Sequence, residues 1–246
     1  LYGNTYGVGT CGMTALLVVT PEGLVLVDVG TEEGAPLVAD NIRRLGFQLQ
    51  DVEWIVASHE HWDHIGGIAE MQRLTGAKVA ALASAKEAFE NGRHNPIDPQ
   101  GADHAFPKIR VDRVLADGDA VALGGTVLTA HATPAHAPGS TSWTWQSCDG
   151  AACQTITYAD SATTISTDQY RFSDHPAYVA DVRRGLDAIG ALPCGILTTP
   201  HPSASALHER LAAGIAADGS ACRAYAEQAK ARFEERLASE AGSAAR

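Results

Sequence analysis

Seven consecutive residues, Ser58-His59-Glu60-His61-Trp62-Asp63-His64, set three imidazoles and a carboxylate in the pattern H-x-H-x-D-H. Imidazole nitrogen and carboxylate oxygen are ligand types that Zn²⁺ accepts in a roughly tetrahedral array. His59 and His61 are two positions apart, so on an extended stretch they project to one side and can grip a single ion. Asp63 and His64 follow the expected bend and can reach a second, neighbouring site. So dense a run of potential ligands is rare in a loop that merely happens to be polar. The chemistry it points to is metal binding at two adjacent positions.

The flanking residues place this run. Before it, Asp51-Val52-Glu53-Trp54-Ile55-Val56-Ala57 is apolar and β-branched and reads as a buried strand ending at Ser58. After it, Ile65 to Met71 opens an amphipathic helix. The cluster therefore belongs to a strand-to-helix loop, where side chains can converge above a sheet edge.

A metal site on His59 and His61 needs a third protein ligand if one position is to stay open for water. Five downstream histidines are candidates: His131, His136, His175, His201 and His208. His136 precedes Ala137-Pro138-Gly139-Ser140, where Pro and Gly fix a turn before an aromatic strand. His201 sits between Pro200 and Pro202 after an apolar strand, and the two prolines stiffen its backbone. His131 lies along a strand and His208 in a charged helical segment, so both read as structural or surface residues. His94, His104 and His175 fall in loops and receive no role.

Composition sets the frame. The 246 residues are 45% hydrophobic, enough for an ample core, and the expected organisation is one domain over 1–246, its halves meeting near residue 120. A net charge of −11 repels phosphate backbones and argues against nucleic acid as a partner. No uncharged apolar run approaches bilayer-spanning length. The chain starts at Leu1 without a signal peptide and reads as a mature or trimmed form. Cys148 and Cys153 flank a short loop like the staple of a hairpin tip, Cys194 and Cys222 could staple the C-terminal region, and Cys11 is left over. Paired cysteines imply an oxidising compartment, periplasmic or extracellular.

Element signals run in two β-rich blocks, each with helices. Strands are expected at 14–20 and 24–29 around the turn Pro21-Glu22-Gly23, and a helix over 35–45. After the His-rich loop come a strand at 78–83, a short helix over 84–90 and an irregular loop over 91–107. Strands resume at 113–115, 121–123, 126–130, 141–145 and 154–158. A helix over 178–189, a strand over 195–199 and a long helix over 221–237 complete the order, and the tail from Ala238 is expected to fray. Two sheets packed face to face with helices outside satisfy this order.

The chain resembles the metallo-β-lactamase superfamily, and within it the subclass B3 β-lactamases. The motifs that carry the resemblance are the His-rich run, His136-Ala137-Pro138-Gly139-Ser140-Thr141-Ser142-Trp143-Thr144-Trp145, Tyr158-Ala159-Asp160-Ser161 and Thr199-Pro200-His201-Pro202-Ser203-Ala204-Ser205. The first is common to the superfamily; the other three together are far more specific. The resemblance implies an α/β fold, an αββα sandwich of two mixed sheets with helices outside. It implies two zinc ions per chain, the first held by His59, His61 and His136, the second by Asp63, His64 and His201. It further implies that Ser161 and Thr163 lie near a substrate carboxylate and that Gln100 faces the pocket. Its paired-cysteine pattern matches Cys148 with Cys153 and Cys194 with Cys222.

The implied activity is hydrolysis of the β-lactam amide of antibiotics, including carbapenems, by water activated as hydroxide at the metals, with Asp63 both ligating and orienting it. The expected enzyme is a periplasmic or secreted monomer conferring resistance, with neither nucleic acid nor membrane as partner. Neither G-x-S-x-G nor S-x-x-K is present to support a serine nucleophile. The nearest rival is another hydrolase of the fold, a glyoxalase II-like thioesterase or a lactonase, in which Asp160 would bridge the metals. Alternation along the strand lets only one of Asp160 and Ser161 line the metals, and the motif favours Ser161, leaving Asp160 a structural role. A second rival, a purely structural zinc protein, conflicts with two ligand sets that are each too small to close a site.

Overall fold

The computed structural model describes residues 1–101 and 104–244. Strands β1 (Thr5–Gly7), β2 (Leu16–Thr20), β3 (Gly23–Val27), β4 (Val52–Val56), β5 (Lys78–Leu82) and β6 (Arg113–Leu115) form one sheet in sequential order. β1, β2 and β3 pair antiparallel, and β3 to β6 are parallel. The second sheet has the order β11-β10-β9-β8-β7, from β7 (Ala120–Leu123), β8 (Thr126–Ala132), β9 (Thr141–Asp149), β10 (Ala152–Tyr158) and β11 (Ile196–Thr198). Only the β10–β11 pair in it is parallel.

Period-two alternation explains how one apolar run serves two cores. Leu16 and Val18 of β2 and Val25 and Val27 of β3 face the second sheet, where they meet Val121, Leu128, Trp143, Ile156 and Tyr158. Leu17, Leu24 and Leu26 turn the other way. They pack under α1 (Ala35–Arg44), α3 (Ile68–Thr75) and α4 (Ala83–Asn91), through Val38, Ile42, Ile68, Met71 and Phe89. The outer face of the second sheet is covered by α5 (Pro176–Gly190) and α7 (Ala221–Ala244), whose Val182, Leu186, Ile189 and Phe233 form a third core. The layers are thus helix, sheet, sheet, helix, the αββα sandwich expected from the sequence.

The C-terminal end departs from expectation. The C-terminal helix continues to Ala244 instead of ending at Leu237. Its last turns are anchored: Glu240 is buried, accepts the Ser173 backbone N–H at 2.8 Å and the Arg236 guanidinium at 2.6 Å, and its own carbonyl receives Arg171 at 2.6 Å. A tail of small residues reads as frayed because Arg171 and Ser173, which anchor it, lie far off in sequence. The loop between α4 and β6 is irregular as expected, with residues 102 and 103 outside the described residues. One isolated bridge, Arg93 to Ala105, pinches it. Both disulfides form, Cys148–Cys153 across the β9–β10 hairpin and Cys194–Cys222 at the start of α7, while Cys11 is an exposed free thiol.

Candidate metal centre

The His-rich loop leaves β4 at Val56, and the remaining candidate ligands leave β8 and β11 the same way, just past the carboxyl ends of their strands. His136 sits in the turn between β8 and β9, and His201 three residues beyond β11. Open α/β sheets place their sites at such edges, because strand ends deliver several loops to one point. A four-residue helix, α2 (Trp62–Ile65), makes the bend that separates His59 and His61 from Asp63 and His64.

Donor atoms of His59, His61 and His136 lie within 4.8 Å of one another, and all three residues are buried. Each ring has one nitrogen engaged on its far side. His59 Nδ1 is 2.8 Å from Asp160 Oδ1, His61 Nε2 is 2.7 Å from Asp98 Oδ2, and His136 Nδ1 is 2.7 Å from the Thr163 carbonyl. The opposite nitrogens are His59 Nε2, His61 Nδ1 and His136 Nε2, the last beside the Gln100 amide, and these are the ones that can face a shared ion. His59 Nε2 is buried without a hydrogen-bond partner among the described residues. Such an orphan is costly in an apolar setting and is relieved by a cation.

A second set meets beside the first. His64 Nε2 lies 3.2 Å from His201 Nε2 and 3.3 Å from Asp63 Oδ2, and His201 Nε2 is 3.5 Å from the same carboxylate oxygen. His59 also groups with Asp63 and His64 within 4.8 Å, so the two sets are contiguous. Behind His64 stands Asp28, buried at the end of β3 with a positive φ of 57°, its Oδ2 3.6 Å from His64 Nδ1. Asp28 also accepts the Ser58 backbone N–H and hydroxyl, each at 2.7 Å, and the Tyr158 hydroxyl at 2.6 Å.

At His59, His136 and Asp63 the electrostatics favour metal-ready protonation states. Burial, reinforced by neighbouring imidazoles, lowers His59 well below the usual range and brings His136 down to about 3, so both are neutral near pH 7. Burial pushes the Asp63 carboxyl up, but His64, His201 and His61 together outweigh it and hold Asp63 below the ordinary carboxylate range. Nitrogen and oxygen donors in two sets of three, with His59 Nε2 already buried and unpartnered, fit zinc.

All six expected donors therefore converge. Gln100 also reaches this place, its Nε2 3.3 Å from His136 Nε2. Thr163 holds His136 through its carbonyl, and its hydroxyl lies 3.1 Å from the same Nδ1. Ser161 is buried beside Asp160, three residues past the end of β10. His131 pairs with Thr144 and His208 with the Cys11 carbonyl, away from the cluster, as expected of structural residues.

Three residues escaped the sequence reading. His94 is buried with its ring stacked on His61 at 4.4 Å, and both its nitrogens lack partners among the described residues. Asp98 meets His61 Nε2 at 2.7 Å, and Asp28 stands behind His64 at 3.6 Å while binding Ser58. An aspartate closing an apolar strand was the only local signal for Asp28; nothing local marked Asp98.

The family model described as the metallo-beta-lactamase superfamily matches residues 8–153. Over its length the chain is similar to the metallo-β-lactamase MIM-1 of Novosphingobium pentaromativorans, with 55% identity, 99% of this chain and 90% of that one covered, and a TM-score of 0.97. It is likewise similar to MEM-A1, a subclass B3 metallo-β-lactamase from a soil metagenome library, with 40% identity, 98% and 96% coverage and a TM-score of 0.92. Among curated sequences, a hydroxyacylglutathione hydrolase of Methylobacterium nodulans is 34% identical over 105 residues, 43% of this chain and 32% of that protein. The chain thus spans about a third of the length of the first such hydrolases it matches.

Proposed function

Because the chain belongs to the metallo-β-lactamase superfamily, we propose that it is a subclass B3 enzyme that hydrolyses the amide bond of β-lactam antibiotics and so confers resistance to them. The observation that carries this reading is the meeting of six nitrogen and oxygen donors from three loops at one sheet edge. His59, His61 and His136 hold the first zinc, and Asp63, His64 and His201 the second. Bound there, zinc supplies Lewis acidity and lowers the pKa of water, so that hydroxide is at hand near neutral pH.

The chain's own groups do the rest. Asp160 and the Thr163 carbonyl orient the imidazoles of His59 and His136 so that neither donor must reorganise during the reaction. The Asp63 carboxylate, kept ionised, accepts a hydrogen bond from the attacking water and aims it at the lactam carbonyl carbon. As the new C–O bond forms, the C–N bond breaks, and the ring nitrogen takes a proton that the water has given up. The Gln100 amide beside His136 lines the pocket, and the Ser161 and Thr163 hydroxyls receive the substrate carboxylate. Two disulfides support a periplasmic or secreted location, and among the described residues no helix is long and apolar enough to cross a membrane. We take the working form to be a monomer.

A thioesterase reading draws on the partial likeness to hydroxyacylglutathione hydrolases. It needs Asp160 between the two metals, whereas Asp160 Oδ1 lies against the far nitrogen of His59, 2.8 Å away. Hydrolysis rates for a chromogenic cephalosporin, a thioester and a simple lactone, each with chelator and after zinc is restored, separate the readings. Zinc-restorable opening of the cephalosporin alone is the expected result; turnover confined to the thioester sinks the proposal.

A further inference from the structure

An imidazole bound to a metal through one nitrogen needs something to decide which nitrogen that is. For His61 the decision lies on the loop between α4 and β6. Asp98 Oδ2 sits 2.7 Å from His61 Nε2, with both side chains buried. The other carboxylate oxygen, Oδ1, accepts the backbone N–H of Gln100 at 2.8 Å, and the Asp98 N–H donates to the Asn95 carbonyl at 2.9 Å. Asp98 is thus fixed at three points. His94 adds a stacked face 4.4 Å from the His61 ring, and His104 stacks on His94 at 5.2 Å.

We propose that Asp98 is the positioning residue for His61, holding its ring so that Nδ1 faces His59 and His136. The inference rests on the zinc reading of the site given above. A carboxylate at Nε2 keeps the hydrogen on that nitrogen and leaves the Nδ1 lone pair free. The three imidazoles of this set then have three different supports: Asp160 for His59, the Thr163 carbonyl for His136 and Asp98 for His61. The same carboxylate organises the backbone from which Gln100 reaches His136, so one side chain couples a pocket residue to a metal ligand.

The test compares the full chain with Asp98→Asn and Asp98→Ala. Three quantities are read: zinc affinity by competition with a chromophoric chelator, the His61 tautomer by ¹⁵N-edited NMR, and kcat and KM for a chromogenic cephalosporin. Removing such a support weakens metal binding roughly 10–100-fold, which is the loss expected for Asp98→Ala. Asp98→Asn should fall between it and the parent, because its amide oxygen still accepts from Nε2 without the charge. The His61 tautomer should become mixed in the alanine variant, a change that general loosening of the loop does not produce. At saturating zinc most of kcat should return while KM stays raised, through Gln100. If the parent binds zinc and opens the lactam but Asp98→Ala keeps its affinity and tautomer, this inference alone is overturned. If the parent binds no zinc, both readings fall. Should the alanine variant not fold, parental zinc affinity and tautomer in the near-isosteric Asp98→Asn overturn the inference.

Discussion

Glu60 receives the backbone N–H of Gly139 on both carboxylate oxygens, at 2.8 and 3.0 Å, inside the protein. This pair joins the loop carrying His59 and His61 to the turn carrying His136. The two loops come from different sheets, so the bond sets the distance between ligands that nothing local in the sequence brings together. A third tie, from the Thr141 N–H to the Ser58 carbonyl at 2.6 Å, runs alongside it.

Glycine at 139 is demanded by this closeness. A methyl group there would stand 2.4 Å from Glu60 Oε2 and 2.8 Å from the Ala85 Cα, contacts that real side chains do not make. Gly139→Ala should therefore push the two loops apart and cost about 1–3 kcal/mol, the range for overpacking. Thermal unfolding of the zinc-free protein measures the cost. Chelator competition should show the zinc affinity of the His59, His61 and His136 set falling with it. An alanine variant of parental stability and affinity would mean that the tie does not set the site.

Glu60 also carries a pH signature. Burial raises its carboxyl from an ordinary 4.5 to about 7, against the opposing pull of His61 and the Gly139 hydrogen bond. For an acid whose folded pKa is raised, the unfolded chain ionises first as pH climbs. The stabilising contribution is then complete below about 4.5 and is lost between about 4.5 and 7, by roughly 3 kcal/mol in all. Glu60→Gln cannot ionise. Subtracting its denaturant-unfolding stability from that of the parent, both zinc-free, should give a curve that falls over this window. A flat difference between pH 4.5 and 7.5 contradicts the assignment.

How much of this could be read from the residues alone depended on the range of each contact. The six candidate donors stood out because their types cluster, as in His59 to His64, or because proline and glycine pin their turns, as at His136 and His201. Strand runs such as Leu24 to Val27 were legible because burial on both faces leaves an unbroken apolar stretch. Supporting groups were not. Asp98 meets His61 across 37 positions and Asp28 meets Ser58 across 30, and no local periodicity encodes either pairing. The last turns of α7 failed for the same reason, since Ser173 holds Glu240 from 67 positions away.

Removal of one donor should separate the two metal sets. His136→Ala withdraws the only member of the first set that comes from the second sheet, leaving His59 and His61 with two protein nitrogens. The zinc content should drop from two ions to one after dialysis, measured by atomic emission. Lewis-acid stabilisation is worth several kcal/mol, so kcat/KM for a β-lactam should fall at least about 100-fold. His131→Ala is the matched control: its ring pairs with Thr144 and touches none of the donors, so content and rate should stay parental. Two zinc ions retained by the His136 variant would remove that residue from the site.

The two disulfides divide by the length of chain they close. Cys148–Cys153 spans a sequence separation of 5, on a hairpin whose register is already set by pairs from Ala152–Asp149 to Tyr158–Trp143. Cys194–Cys222 spans 28 and fixes the start of α7 beside β11, where Phe233 and Ala226 of that helix complete the third core. Loop-closure entropy assigns about 2 kcal/mol to the short bridge and about 3.5 kcal/mol to the long one. Replacing Cys194 and Cys222 with serine should therefore lower the guanidinium midpoint more than replacing Cys148 and Cys153. Neither pair touches a metal donor, so zinc content below the transition should be unchanged in both variants. An equal loss in the two would show that the hairpin disulfide holds more than its own turn, most directly the Asn4 contacts with Ser147 and Cys148 that tie β9 to the strands of the first sheet.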